Sequence, residues 1–199
     1  MLDTKARKYV QPILEYVAKF FISKNISATK ITFIALFLGL TSAMAIIIQL
    51  NLIAVILLWC SGFFDALDGT IARINNEKSK LGGFLDIVFD RIVEIAILLA
   101  LCYTNHSLYV VVGFVLSAII LSMTIFLTSG NLITKESSKA FYYQTGLAER
   151  TEGFIMLSLA IIFKNYAVYV LVIFAIIILI TAMQRFCQTY NFLKGENDD

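Results

Sequence analysis

The sequence predicts an all-α integral membrane protein, a bundle of six transmembrane helices preceded by an amphipathic interfacial helix. Three observations predict it. Of the 199 residues, 59% are hydrophobic and 15% charged, with a mean hydropathy of +0.83, whereas soluble domains carry about 25% charge and about half apolar residues. The apolar residues fall into runs near the ~20 that a helix needs to cross the hydrocarbon core. Lys and Arg, finally, concentrate in alternate connections between those runs.

At the N-terminus, Leu2, Ala6, Tyr9, Val10, Ile13, Val17, Phe20 and Phe21 recur at three- and four-residue steps, with Lys5, Lys8, Gln11, Glu15 and Lys19 on the other face. This pattern predicts an amphipathic helix over residues 1–24, bent at Pro12 and lying on the inner membrane surface. Charge and apolarity are mixed throughout the first thirty residues, so the start reads as mature protein and not as a secretory leader. Six spans follow over residues 31–187, at about Ile31–Leu50, Leu52–Ala72, Phe84–Tyr103, Leu108–Thr128, Glu149–Phe163 and Tyr166–Cys187. The fifth is short. All 199 residues form one predicted domain.

The basic residues Lys5, Arg7, Lys8, Lys19, Lys24 and Lys30 precede the first span, and Arg73, Lys78, Lys80, Lys135, Lys139 and Arg150 fall in the second and fourth connections. The first and third connections carry none, and only Lys164 breaks the alternation. By the positive-inside rule both termini face the cytoplasm. A net charge of +2 argues against a nucleic-acid partner. Cys60, Cys102 and Cys187 are odd in number and lie in or beside apolar runs, as fillers of a helix bundle do. Trp59, Tyr103, Tyr109 and Tyr166 read as interface anchors.

The chemistry is concentrated in one stretch: Asp65-Ala-Leu-Asp68-Gly69-Thr-Ile-Ala72-Arg73, then Gly82, Asp86 and Asp90. Asp65 and Asp68 share a helix face, as do Asp86 and Asp90. Two facing helices joined by the short loop from Ile74 to Gly83 would therefore bring four carboxylates together. Near a membrane, four mutually repelling anions require a cation among them. With no Cys or His converging there, Mg²⁺ or Mn²⁺ is the natural choice, one ion or two. Gly69, Ala72 and Gly82 leave room for a diphosphate to approach the backbone, and Arg73 adds a phosphate-binding fork. A lone aspartate near an interface is often only a solvated helix end. Eight identities at set spacings are another matter, with chance odds on the order of 10⁻⁹ per start site.

This stretch resembles the signature of the CDP-alcohol phosphotransferase family, D-x2-D-G-x2-A-R-x8-G-x3-D-x3-D, with every fixed position matched. The resemblance implies that Asp65, Asp68 and Asp86 hold metal against the donor diphosphate, and that Asp90 is the general base and a further metal ligand. It implies that Gly69, Ala72, Arg73 and Gly82 line the CDP site, and that the protein is a homodimer. The activity implied is transfer of a phosphatidyl-type group from a CDP-linked lipid, such as CDP-diacylglycerol, to a polar alcohol or polyol phosphate, releasing CMP on the cytoplasmic side of the membrane lipids.

Ile26-Ser27-Ala28-Thr29-Lys30-Ile31-Thr32 keeps the threonine but not the Pro-Asn that family members often carry before the first span. Glu149-Arg150-Thr151-Glu152-Gly153 is similar to the Glu-Arg-Pro-Glu-Arg element of phosphatidylinositol-phosphate synthases, and Gln184-Arg185 to their Gln-Arg. Arg150, Arg185 and Lys135, with Lys139 as a substitute, are thus candidate acceptor-binding residues, although Gly153 stands where that element has its second Arg. Arg150 pairing with Glu149 or Glu152, and Arg185 snorkelling to the headgroups, are the structural alternatives. Rival functional readings are transfer of a CDP-linked small alcohol to a lipid, an intramembrane prenyltransferase and a divalent-cation carrier.

Overall fold

The computed structural model describes residues 2–76, 79–136 and 150–197, with side chains described over 10–76, 79–132 and 150–195. Seven α-helices make up this part of the chain: α1 (Leu2–Ser23), α2 (Ala28–Ile47), α3 (Asn51–Ile74), α4 (Lys80–Thr104), α5 (Tyr109–Glu136), α6 (Arg150–Ile162) and α7 (Ala167–Asn197). Short 3₁₀ turns at His106–Leu108 and Lys164–Tyr166 lead into α5 and α7.

The helix starts and stops have local causes. Asn25, Gln49 and Asn76, just beyond α1, α2 and α3, adopt positive φ of 55°, 66° and 55°. The Ile26 amide bonds back to Phe21 and that of Leu50 to Ala45, which closes the last turns of α1 and α2 on their own carbonyls. At the start of α4, the Ser79 hydroxyl accepts from the Gly82 amide at 2.9 Å, a side-chain N-cap.

Among the described residues, four helical segments are long and apolar enough to cross a bilayer: Ala28–Ile47, Asn51–Ile74, His106–Leu132 and Lys164–Gly195. The six predicted spans meet six helices, but two of them miss that standard. Helix α4 carries Asp86, Asp90, Arg91 and Glu94, and α6 has 13 described residues, about 20 Å at 1.5 Å per residue. Helix α1 also differs from the expectation of a helix lying only on lipid. It runs through Pro12 uninterrupted and buries Leu14 and Ala18 in a small core with Ile31, Leu67 and Ile71, while Ile13, Tyr16 and Phe20 stay exposed.

Helix α2 is the centre of the site half. Both α3 and α4 pack along it and barely touch each other, so the expected facing pair is instead two helices leaning on a shared third. Small residues permit this. Ala35, Gly39 and Ala43 repeat at four-residue steps and are buried, the small-residue stripe that lets membrane helices approach closely. A Cβ at Gly39 would overlap the Val93 side chain of α4, with Val93 Cγ1 at 2.6 Å and the Ser61 hydroxyl of α3 at 3.1 Å. Hydroxyls then tie α3 to α2: Ser61 donates to the Ala35 carbonyl and Ser42 to that of Ala54, each at 2.7 Å. Gly39→Ala is expected to cost about 1–3 kcal/mol by overpacking, read as a lower melting temperature. Adding Val93→Ala should recover most of the loss, and an unchanged Gly39→Ala protein would refute the wedge.

The other half is α5 packed on α7, with α6 bridging α7 to α3. Thr189 donates to Ser129 at 2.8 Å across α7 and α5. Trp59, expected as an interface anchor, donates its indole N–H to Ser158 of α6 at 3.1 Å and sets its ring edge-on to Phe154, so it joins α3 to α6. Tyr103, Tyr109 and Tyr166 are exposed. The three cysteines are free, with Cys102 in the core and Cys187 exposed. Lys164, the residue that broke the charge alternation, bonds the Gln49 side chain and links the α2–α3 turn to the α6–α7 connection.

Candidate active site

At the loop ends of α3 and α4, Asp65, Asp86 and Asp90 each present a carboxylate oxygen, all within 4.8 Å of one another. Asp65 lies on α3 and the other two one turn apart on α4. These side chains meet beside a cleft that α2 also lines. Thr32, Ala35 and Leu36 of α2, Ser61 of α3, and Phe89 and Val93 of α4 line the space around Asp65 and Asp90. Thr32, from the element that lacks Pro-Asn, is buried in this wall and bonds the Ala28 carbonyl at 3.1 Å.

Asp68, one turn after Asp65 on α3, is not part of that 4.8 Å cluster. It is 8% exposed, and its Oδ2 is buried with no hydrogen-bond partner among the described residues.

A pair of carboxylates 4.8 Å apart repels by about 3 kcal/mol at the effective dielectric of a partly buried site, so the trio needs a cation. In the structure that cation is Arg150, at the start of α6. Its Nη1 contacts Asp65 Oδ2, and its Nη2 lies 2.6 Å from Asp90 Oδ1. The expectation that a positive charge sits among the aspartates is met by a residue expected elsewhere. Of the alternative partners expected for Arg150, Glu149 falls outside the described residues. Arg150 is steadied from below by Phe154, whose ring centroid is 5.5 Å from its guanidinium carbon. Phe154 in turn occupies space that a Cβ on Gly62 would fill.

The other candidates fall in several places. Gly69 faces open space, with nothing within 4 Å of where a Cβ would sit, and Ala72 is half-buried one turn on. A Cβ on Gly82 would sit 3.1 Å from the hydroxyl of the Ser79 cap. Arg73 reaches back to the Thr70 hydroxyl at 2.8 Å. Arg185 lies with its guanidinium 5.0 Å from the Phe126 ring centroid, against α5. The side chains of Lys135 and Lys139, and all of Lys78, lie outside the described residues. Arg91 pairs with Glu94 on α4, whose carboxylate approaches Gly153 of α6, with Oε1 3.9 Å from a Cβ built there.

Sequence reasoning missed Gly39, Gly62 and Phe154 as supports of the site. The four-residue spacing of Ala35, Gly39 and Ala43 was the available signal for the first.

The donor set fits a hard divalent ion. Three carboxylates converge, a fourth has a buried unbonded oxygen, and the one histidine lies in the turn before α5.

A family model described as CDP-alcohol phosphatidyltransferase matches residues 25–186. The chain is 29% identical over 182 residues to the archaetidylinositol phosphate synthase of Pyrococcus horikoshii, covering 92% of this chain and 93% of that one. It is 30% identical over 161 residues to the phosphatidylinositol phosphate synthase of Corynebacterium glutamicum, covering 78% and 72%. Among solved structures it resembles the Mycobacterium tuberculosis phosphatidylinositol phosphate synthase with CDP-DAG bound, with a TM-score of 0.72 at 17% identity over 90% and 94% of the two chains. A structure of that enzyme in complex with manganese and citrate gives a TM-score of 0.73 over 89% and 88%. At that identity the likeness shows a shared fold. The match over residues 25–186, on four membrane-length apolar segments and a clustered set of aspartates, places this multi-pass integral membrane protein in the CDP-alcohol phosphatidyltransferase family.

Proposed function

We propose that the chain transfers a phosphatidyl-type group from a CDP-linked lipid to a polyol phosphate, with inositol phosphate the first acceptor to try, and releases CMP. The convergence of Asp65, Asp86 and Asp90 within 4.8 Å carries this reading. Family membership and the names of two relatives, an archaetidylinositol phosphate synthase and a phosphatidylinositol phosphate synthase, support the direction of transfer and the class of acceptor.

Asp65, Asp86 and Asp90, with Asp68 beside them, would hold Mg²⁺ or Mn²⁺. Such an ion neutralises the diphosphate and aligns it for in-line attack. Asp90 takes the proton of the acceptor hydroxyl, the freed oxygen bonds the lipid-side phosphorus, and the bond to CMP breaks with its electron pair going to CMP. Gly69, Ala72, Arg73 and Gly82 border the path of the CDP, and Arg150, Arg185 and Lys135 receive the acceptor's anionic group. In this reading α4 and α6 complete six spans, α1 rests on the inner leaflet through Ile13, Tyr16 and Phe20, and both termini face the cytoplasm. The unit is residues 1–199 as one domain, working as a homodimer.

The test is incubation of purified protein with CDP-diacylglycerol, Mg²⁺ or Mn²⁺, and inositol phosphate, glycerol phosphate, serine or inositol in turn. A further arm offers CDP-linked small alcohols with a lipid acceptor. CMP release with a polyol phosphate is expected. Release only in the reversed arm would invert the assignment of donor and acceptor, and none in any arm would refute it.

A further inference from the structure

We propose that Arg150 is a built-in surrogate for the divalent ion: its guanidinium holds Asp65 and Asp90 together in the ion-free protein and leaves when the ion arrives. The idea rests on the reading of the aspartates as the metal centre.

Position is the first argument. The two Nη atoms contact Asp65 on α3 and Asp90 on α4, the same two helices that an ion held by the trio must bridge. An ion with oxygen ligands at about 2.0–2.2 Å draws those oxygens around itself, along the edge that the fork already occupies. Space is the second. With Arg150 in place, the pocket that it lines with Asp65 and Asp90 is small, with room for roughly one water. The guanidinium therefore occupies the space beside those two carboxylates that a bridging ion and its ligands would use.

Charge is the third. One guanidinium against three carboxylates leaves the trio under-neutralised, so the resting site still draws a divalent ion, while the ion pairs keep α3 and α4 from being driven apart. The side chain also has somewhere to go. It is long, starts at the first residue of α6, and lies over the face of Phe154, along which it can slide while keeping a cation–π contact.

An order of events follows. In the ion-free protein Asp90 Oδ1 accepts from Arg150. Arrival of the ion releases Arg150 and leaves a planar fork near the reacting centre, suited to an anionic acceptor. Ion binding thus precedes productive acceptor binding.

Direct Mn²⁺ binding tests this on the purified full-length protein, by the electron paramagnetic resonance signal of free Mn²⁺, with no turnover required. Arg150→Gln removes the competitor, so its Mn²⁺ affinity should rise about tenfold, equivalent to about 1.4 kcal/mol. Its melting temperature should fall without ions and return toward wild type in saturating Mn²⁺. Arg150→Lys, which keeps one charge but cannot bridge two carboxylates, should bind Mn²⁺ with intermediate affinity and covers the case in which the glutamine variant does not fold. Unchanged or weaker Mn²⁺ binding in the folded variants would overturn the surrogate role. If wild type binds Mn²⁺ and Asp86→Ala does not, the metal centre survives that failure. A wild-type protein that binds no Mn²⁺ sinks both.

Discussion

Replacing Asp90 with Asn should lower CMP release by at least about 10³-fold while CDP and Mn²⁺ binding partly survive. A positioned general base contributes about 10²–10⁴ to a rate, and the amide keeps the shape of the carboxylate without its capacity to take a proton. Asp90 is placed for that role by the turn of α4 that packs on Gly39 through Val93, so the asparagine should sit in the same cleft. Its remaining oxygen can still accept from Arg150, which sits 2.6 Å from Asp90 Oδ1, so the fold should hold. Steady-state CMP release, paired with Mn²⁺ and CDP binding, separates the outcomes. An active Asp90→Asn enzyme removes Asp90 as the base, and one that is inactive only because it no longer binds Mn²⁺ makes Asp90 chiefly a ligand.

Removing divalent ions should have an equally large effect. Chelation is expected to abolish CMP release, with Mg²⁺ or Mn²⁺ restoring it, because the trio offers only carboxylate oxygens within its 4.8 Å cluster. Asp86→Ala should raise the Mn²⁺ concentration for half-maximal activity by about tenfold or more, since one of three converging ligands is lost. Asp86 is the informative member because the fork of Arg150 is held by the other two. Restoration by excess Mn²⁺ would mark Asp86 as a ligand. Full activity after exhaustive chelation would end the metal-dependent reading.

Much of the architecture was legible from local pattern. Runs of apolar residues near membrane length marked six helices, although α6 and the charged α4 fall outside the length-and-composition standard for a span. The stripe on α1 was legible too, but not its division: Leu14 and Ala18 turn onto α3, and Ile13 and Phe20 turn away. Periodicity reports that a helix has an apolar side and is silent on whether protein or lipid covers it. Trp59 shows the same limit, since an indole suits a headgroup boundary and an interhelical hydrogen bond to Ser158 equally well.

The roster of aspartates and the spacing that puts each pair on one helix face are properties of the sequence alone, because side-chain direction repeats with the helical turn. What the sequence could not contain is the partner across the cleft. Arg150 is separated from Asp65 by 85 positions, and nothing local distinguishes an arginine that grips two carboxylates from one that pairs with the next glutamate. Nor does the hairpin loop reveal that α3 and α4 lean on α2 through Gly39 and not on each other. Only three-dimensional packing decided those points, because they depend on which small residues let distant helices approach and which charge the resulting cleft can hold.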